Sequence, residues 1–100
     1  MASYDKLVRD NIPEILDAKN IPYESRVLND EEYKSELVVK LEEELSEFKN
    51  DLSIDELADV IEVIEALKKL PEYQNVEEVR MQKLEQKGGF EKRIKMKGEK

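Results

Sequence analysis

Two pairs of acids in this chain are spaced for joint chemistry: Glu44 with Glu47, and Glu56 with Asp59. On a helix, residues three apart stack on one face, so each pair presents two carboxylates one turn apart. The connection Lys49–Ser53 is short, which makes the two helices an antiparallel hairpin. Counted from the turn, Glu47 is level with Glu56 and Glu44 is level with Asp59. Glu56 falls inside the apolar arc of its own helix, between Val63 and Leu67, and Asp59 lies near that arc's edge. Glu44 sits beside the arc of Leu37, Leu41 and Phe48. Carboxylates gathered there, partly out of water, repel one another and protonate unless a cation compensates them. A hard divalent cation prefers such oxygen donors, and Mg²⁺ in particular is held by a few carboxylates plus water and phosphate. The spacing therefore points to a Mg²⁺ site between two helices. A plainer reading stands beside it: acids at this spacing also decorate solvated helices, and Glu56 could close a capping box with Ser53.

The rest of the composition narrows the chemistry. The chain of 100 residues has no His and no Cys, so imidazole bases, thiol nucleophiles, disulfides and His/Cys zinc sites are excluded. The formal charge of −8 is unevenly spread: residues 1–79 carry nine Lys/Arg against 22 Asp/Glu, and residues 80–100 carry eight against three. An acidic body argues against binding a nucleic acid polymer, whereas the basic C-terminal stretch suits a smaller anion. The longest apolar run is Leu37-Val38-Val39, so no membrane span is expected. With no signal-peptide pattern at the N-terminus, a cytoplasmic location is the expectation.

Four helices are needed to position these residues. Asn11-Ile12-Pro13-Glu14 opens the first, which runs to about Lys19, and Asp10 either caps it or holds Arg9. Asn29-Asp30-Glu31-Glu32 opens the second, followed by Leu37, Leu41, Leu45 and Phe48 at helical spacing. Ser53-Ile54-Asp55-Glu56 opens the third, which reaches about Leu70 before Pro71; Asn75 caps the fourth, which ends at Gly88-Gly89. Alternation over residues 23–28 and 90–96 suggests a small β-ribbon. The expected fold is all-α, an antiparallel helical bundle in a single domain, residues 1–100, with that ribbon as an addition. The third helix is apolar over more than half its circumference (Leu57, Val60, Ile61, Val63, Ile64, Leu67, Leu70), which fits a centre shared with a second subunit. A homo-oligomer, dimer or tetramer, is expected.

Glu43-Glu44-Leu45-Ser46-Glu47 followed by Glu56-Leu57-Ala58-Asp59 resembles the EExxE…ExxD signature of the all-α nucleoside triphosphate pyrophosphohydrolases, which include the MazG-like proteins and phosphoribosyl-ATP pyrophosphohydrolase. Lys6-Leu7-Val8-Arg9-Asp10-Asn11-Ile12-Pro13 is similar to the opening of a small house-cleaning MazG-like branch, and the stretch from Arg80 to Phe90 is similar to its C-terminal segment. Asn11 and Lys87 depart from that branch, which often has Lys and Arg there, and the interval between the acidic motifs is shorter than in many members.

The resemblance implies a MazG-like bundle and hydrolysis of a nucleoside triphosphate to monophosphate and pyrophosphate, with Mg²⁺ as cofactor and Mn²⁺ as a substitute. It implies Glu44, Glu47, Glu56 and Asp59 as metal ligands. Glu43 would orient a ligand or the attacking water, and Glu62 is a weaker candidate for a second metal. The carboxylates and metal would carry the catalysis without His. Lys6, Arg9, Arg80, Lys83 and Lys87 become candidates for the substrate phosphates, against the ordinary role of basic residues as solvated charges at helix ends. Two alternatives remain: a non-catalytic oligomeric helical binding module, and phosphoribosyl-ATP pyrophosphohydrolase itself.

Overall fold

Each long helix starts where a side chain can satisfy its free N–H groups. In the computed structural model, which describes residues 4–99, a side-chain cap of this kind opens the two longest of the four α-helices. The first, α1, spans Ile12–Ala18 with Pro13 in its first turn; its N-cap is Asn11, without a side-chain bond, rather than Asp10. The second, α2, spans Asp30–Asp51. The Asn29 side chain accepts a bond from the Glu32 N–H at 2.9 Å, and the Glu32 carboxylate accepts from the Asn29 N–H, a reciprocal pair that closes a capping box. Arg26 grips the same carboxylate with two bonds of 2.8 and 3.1 Å.

The turn after α2 is tighter than the sequence suggests. The helix continues through Asp51, and Leu52 alone breaks it in the left-handed conformation (φ 53°, ψ 30°), its N–H donating to Phe48 O at 2.7 Å. Ser53 then caps α3, Ile54–Lys68, accepting from the Glu56 N–H at 3.1 Å. A reversal of two residues allows little slippage, so the height match between the acids of α2 and α3 is set here. Ser53→Ala removes the cap and should lower stability by about 1 kcal/mol in urea unfolding.

Leu70 is extended before Pro71, as the proline ring requires, and a 3-10 turn at Pro71–Tyr73 leads to α4, Val76–Lys87. The fourth helix begins beside Asn75 as expected, but the Asn75 side chain makes no capping bond. Gly88, with φ 80°, ends it.

The protein is all-helical; the described residues contain no strand, and the ribbon expected from residues 23–28 and 90–96 does not form. Alternation alone does not make a strand without a partner ladder, and a two-stranded ribbon is marginal in water. Phe90–Arg93 folds instead into a turn closed by the Arg93 N–H on Phe90 O, with Arg93 left-handed at φ 59°. Val27 and Phe90 are each 97% exposed.

The packed centre is the antiparallel pair α2–α3, whose buried apolar side chains are Leu37, Val60 and Val63. Val38, Val39 and Leu45 on α2, and Leu57, Ile61 and Ile64 on α3, remain exposed. The radius of gyration is 17.8 Å, against about 13 Å for a compact domain of this length. Among the described residues, no helix is long and apolar enough to cross a membrane.

Candidate functional site

Glu44 is the one charged residue buried in the hairpin, at 6% exposure. It lies on α2 opposite Glu56 and Asp59 of α3, and one carboxylate oxygen from each of the three lies within 4.8 Å of the other two. Two of these groups are short of partners: Glu44 Oε2 and Glu56 Oε2 are both buried and make no hydrogen bond. Such orphaned oxygens are costly, because each has left water without a replacement donor.

Glu56 decides between its two sequence readings. The Glu56 N–H uses the Ser53 cap, but its carboxylate does not return a bond to the Ser53 N–H. Its carboxylate instead joins the cluster. Desolvation pushes the Glu56 pKa up, and the charges of Glu47, Asp59 and Glu44 push it further, Glu47 most among them. Glu44 is also raised, chiefly by burial, with Lys40 opposing and Glu47 and Asp59 reinforcing the shift. Glu47 is exposed and stands outside the close triad, near enough for its charge to bear on both. Glu62 is exposed on α3 and is not part of the triad.

Three cations border the acids. Lys40, one turn before Glu44, reaches Glu44 Oε1 at 3.3 Å and Glu43 Oε2 at 3.4 Å. Lys6 holds Glu43 Oε1 at 3.2 Å. Both Glu43 oxygens are therefore engaged by lysines; burial works to raise its pKa, but the two cations outweigh it and the group is lowered. Arg9 Nη2 meets Asp59 Oδ1 at 2.8 Å. The segment carrying Lys6 and Arg9 forms, with Ile12 and Leu16 of α1, one wall of a cleft of about 310 Å³ whose other wall includes Lys40, Glu44 and Asp59.

Sequence reasoning missed Lys40, although its spacing of three and four residues from Glu43 and Glu44 carried the signal. The basic face of α4 is a different matter. The helix is exposed along its length, its start tied to the end of α3 by Lys68–Glu77 at 3.1 Å, and Arg80 is paired with Glu77 at 2.9 Å. Within one chain, none of Arg80, Lys83 and Lys87 lines the cleft beside the acid triad.

A larger hollow of about 800 Å³ lies where the start of α2 meets Leu70–Glu72. It is bridged by Lys34–Glu72 at 3.2 Å, and Lys34 sits 5.3 Å from the Tyr73 ring centre. Its acids do not form a close cluster of three, unlike those at the smaller cleft.

The donor set of that cleft fits a hard cation. Three carboxylates converge from two helices, two offer an unpartnered buried oxygen, and none of the three is a soft ligand. Comparison of the chain with protein-family models, with curated proteins and with solved structures finds no match.

Proposed function

We propose that this protein is a divalent-metal-dependent nucleoside triphosphate pyrophosphohydrolase of the MazG-like kind, a cytoplasmic house-cleaning enzyme acting on non-standard nucleotides. The single observation that carries this reading is the close triad of Glu44, Glu56 and Asp59, in which Glu44 and Glu56 each keep a buried, unpartnered oxygen. The order of motifs along the chain, from Lys6–Pro13 through the two acidic pairs to Arg80–Phe90, supports the substrate class by resemblance.

In this reading Glu44, Glu56 and Asp59 hold the metal, with Glu47 completing the set from the exposed edge. Bound Mg²⁺ or Mn²⁺ would supply charge neutralisation on the phosphates and activation of water. Lys40 orients Glu44 by holding Oε1, which leaves Oε2 without a partner and free for the metal. Glu43, tied to Lys6 and Lys40, keeps both lysines at the rim of the cleft. Val8, Ile12 and Leu16 supply apolar lining to the cleft, and Arg9 lines it with them. Water would add to the α-phosphorus, the α–β anhydride bond would break, pyrophosphate would leave with the bonding pair, and the proton of the attacking water would pass to solvent.

The same reading includes a homo-oligomer, dimer or tetramer. Three buried apolar side chains among the described residues are too few to stabilise a domain of this size, and the exposed faces of α2 and α3 offer the missing area. A second copy would also be the source of the α4 cations that one chain keeps away from its own triad.

The deciding experiment incubates the purified protein with a panel of canonical and modified nucleoside triphosphates and Mg²⁺. Monophosphate and pyrophosphate are the expected products. Orthophosphate as the product would refute the bond selectivity. A non-catalytic oligomeric module draws on the same exposed apolar faces; absence of both turnover and Mg²⁺ or Mn²⁺ binding would favour it.

A further inference from the structure

Arg9 and Asp59 are 50 residues apart in sequence, yet their side chains meet at 2.8 Å. This places a cation directly on an acid of the triad. The pair is well solvated, with side-chain exposures of 56% and 39%, and an ion pair of that kind is weak enough to exchange. Lys40 differs: its side chain is 15% exposed and bridges Glu43 and Glu44, so it is a resident neighbour of the site. Arg9 also uses one of its five donors on Asp59, which leaves most of its planar fork for another anion. Phosphate is the anion that fork fits best after carboxylate.

The triad shows the need for a ligand independently of its charge count. Glu44 is more than nine-tenths buried, and its Oε2 is unpartnered within the triad. A divalent ion satisfying that oxygen together with Asp59 would bring two positive charges against the guanidinium. Asp59 cannot serve both cations equally well. A triphosphate arriving with the metal offers the displaced guanidinium a new anion in the same cleft.

Resting on the metal-site reading above, we propose that Arg9 is an exchangeable counter-cation, neutralising Asp59 while no metal is bound and passing to the substrate phosphates when a divalent ion takes Asp59. Arg9 then links metal and nucleotide binding with opposite signs. It competes with the metal in the free protein and assists the nucleotide in the loaded one. Lys6 on Glu43 follows at greater distance from the triad and is not needed for the exchange.

Calorimetric titration of the full chain at low salt tests this with Mn²⁺ and with a non-hydrolysable nucleoside triphosphate analogue. Arg9→Gln should bind Mn²⁺ about 2- to 5-fold more tightly than the wild type, the range set by loss of an exposed ion pair. At saturating Mn²⁺ it should bind the analogue roughly 10-fold more weakly. Arg9→Lys keeps the charge but loses the fork, so its Mn²⁺ affinity should stay near wild type while analogue binding falls. Equal or weaker Mn²⁺ binding by Arg9→Gln, or unchanged analogue binding, would overturn the exchange. A failure of the metal site itself looks different: Glu56→Gln would bind Mn²⁺ as tightly as wild type, or no variant would bind it, and the exchange would fall with the site.

Discussion

Glu56→Gln should abolish metal-supported turnover, by on the order of 100-fold or more, and yet raise the melting temperature of the metal-free protein. The two effects share one cause. Glu56 brings a charge and an unpartnered oxygen into a site where Glu47, Asp59 and Glu44 already repel it. A neutral amide of the same shape removes that repulsion and supplies N–H donors to the neighbouring carboxylates. The same change removes a ligand charge that a divalent ion needs. On the proposed reading, function at this site is maintained against stability, a conflict that active sites commonly show. Unchanged turnover in Glu56→Gln would exclude the triad as the reaction centre.

The pH dependence carries the same signature. The folded-state pKa values of Glu44 and Glu56 are raised above the ordinary value of 4.5. A raised carboxylate pKa means the folded protein binds more protons than the unfolded chain, so its contribution is full below the unfolded pKa and is lost as pH rises through the folded one. Glu43, Glu32 and Glu77 are lowered and act in the opposite sense. The comparison of wild type with Glu56→Gln in chelator cancels those shared contributions. Their melting temperatures should lie close together at pH 4 and separate as pH rises above it, with Glu56→Gln the more stable. Saturating Mg²⁺ at pH 7 should then restore the wild type, since a ligand bound only by the folded state stabilises it.

The second large effect concerns assembly. Sedimentation of the wild-type protein at micromolar concentration should show a homo-oligomer, and Ile61→Lys combined with Ile64→Lys should convert it to a monomer of reduced thermal stability. Ile61 and Ile64 are 49% and 41% exposed on a helix whose Val60 and Val63 already pack in the hairpin with α2. Burying each remaining isoleucine surface contributes on the order of 1 kcal/mol, and an unpaired lysine in a desolvated interface costs more. The dissociation constant should therefore rise at least about 100-fold. A wild-type chain that sediments as a monomer would remove the assembly from the proposal. The thermal unfolding of such a monomer would then need another source of stability than its three buried apolar residues.

Much of the hairpin was legible because its determinants are local. Asn29 and Ser53 are oxygen-bearing caps placed directly before apolar periodicity, and both cap the helices they announce. Pro71 stops α3 through the restricted residue before it, and Gly88 ends α4 through a positive φ. The level placement of Glu44 with Asp59 follows from helix rise and a short turn, both of which are counted along the chain. The ribbon failed for the opposite reason: alternation at residues 23–28 and 90–96 describes a face, but pairing requires a second strand at the right distance. The basic spacing of α4 likewise identified a charged face without saying what it would lie against.

By itself, then, the sequence determined an all-helical protein, an acid-bearing hairpin without histidine or cysteine chemistry, and the division into an acidic body and a basic end. These rest on composition, helical period and caps, all interactions within a few residues. Tertiary structure alone decided that Glu56 turns inward instead of closing its capping box, that Glu44 and Glu56 each leave an oxygen unpartnered, and that Glu47 stays at the exposed edge. It also brought Lys6 and Arg9 onto acids 37 and 50 residues away. Those outcomes depend on how two helix faces and an N-terminal segment share one small volume. Spacing along the chain sets the heights of the acids, but desolvation and charge repulsion depend on how their side chains pack across the hairpin, which spacing does not specify.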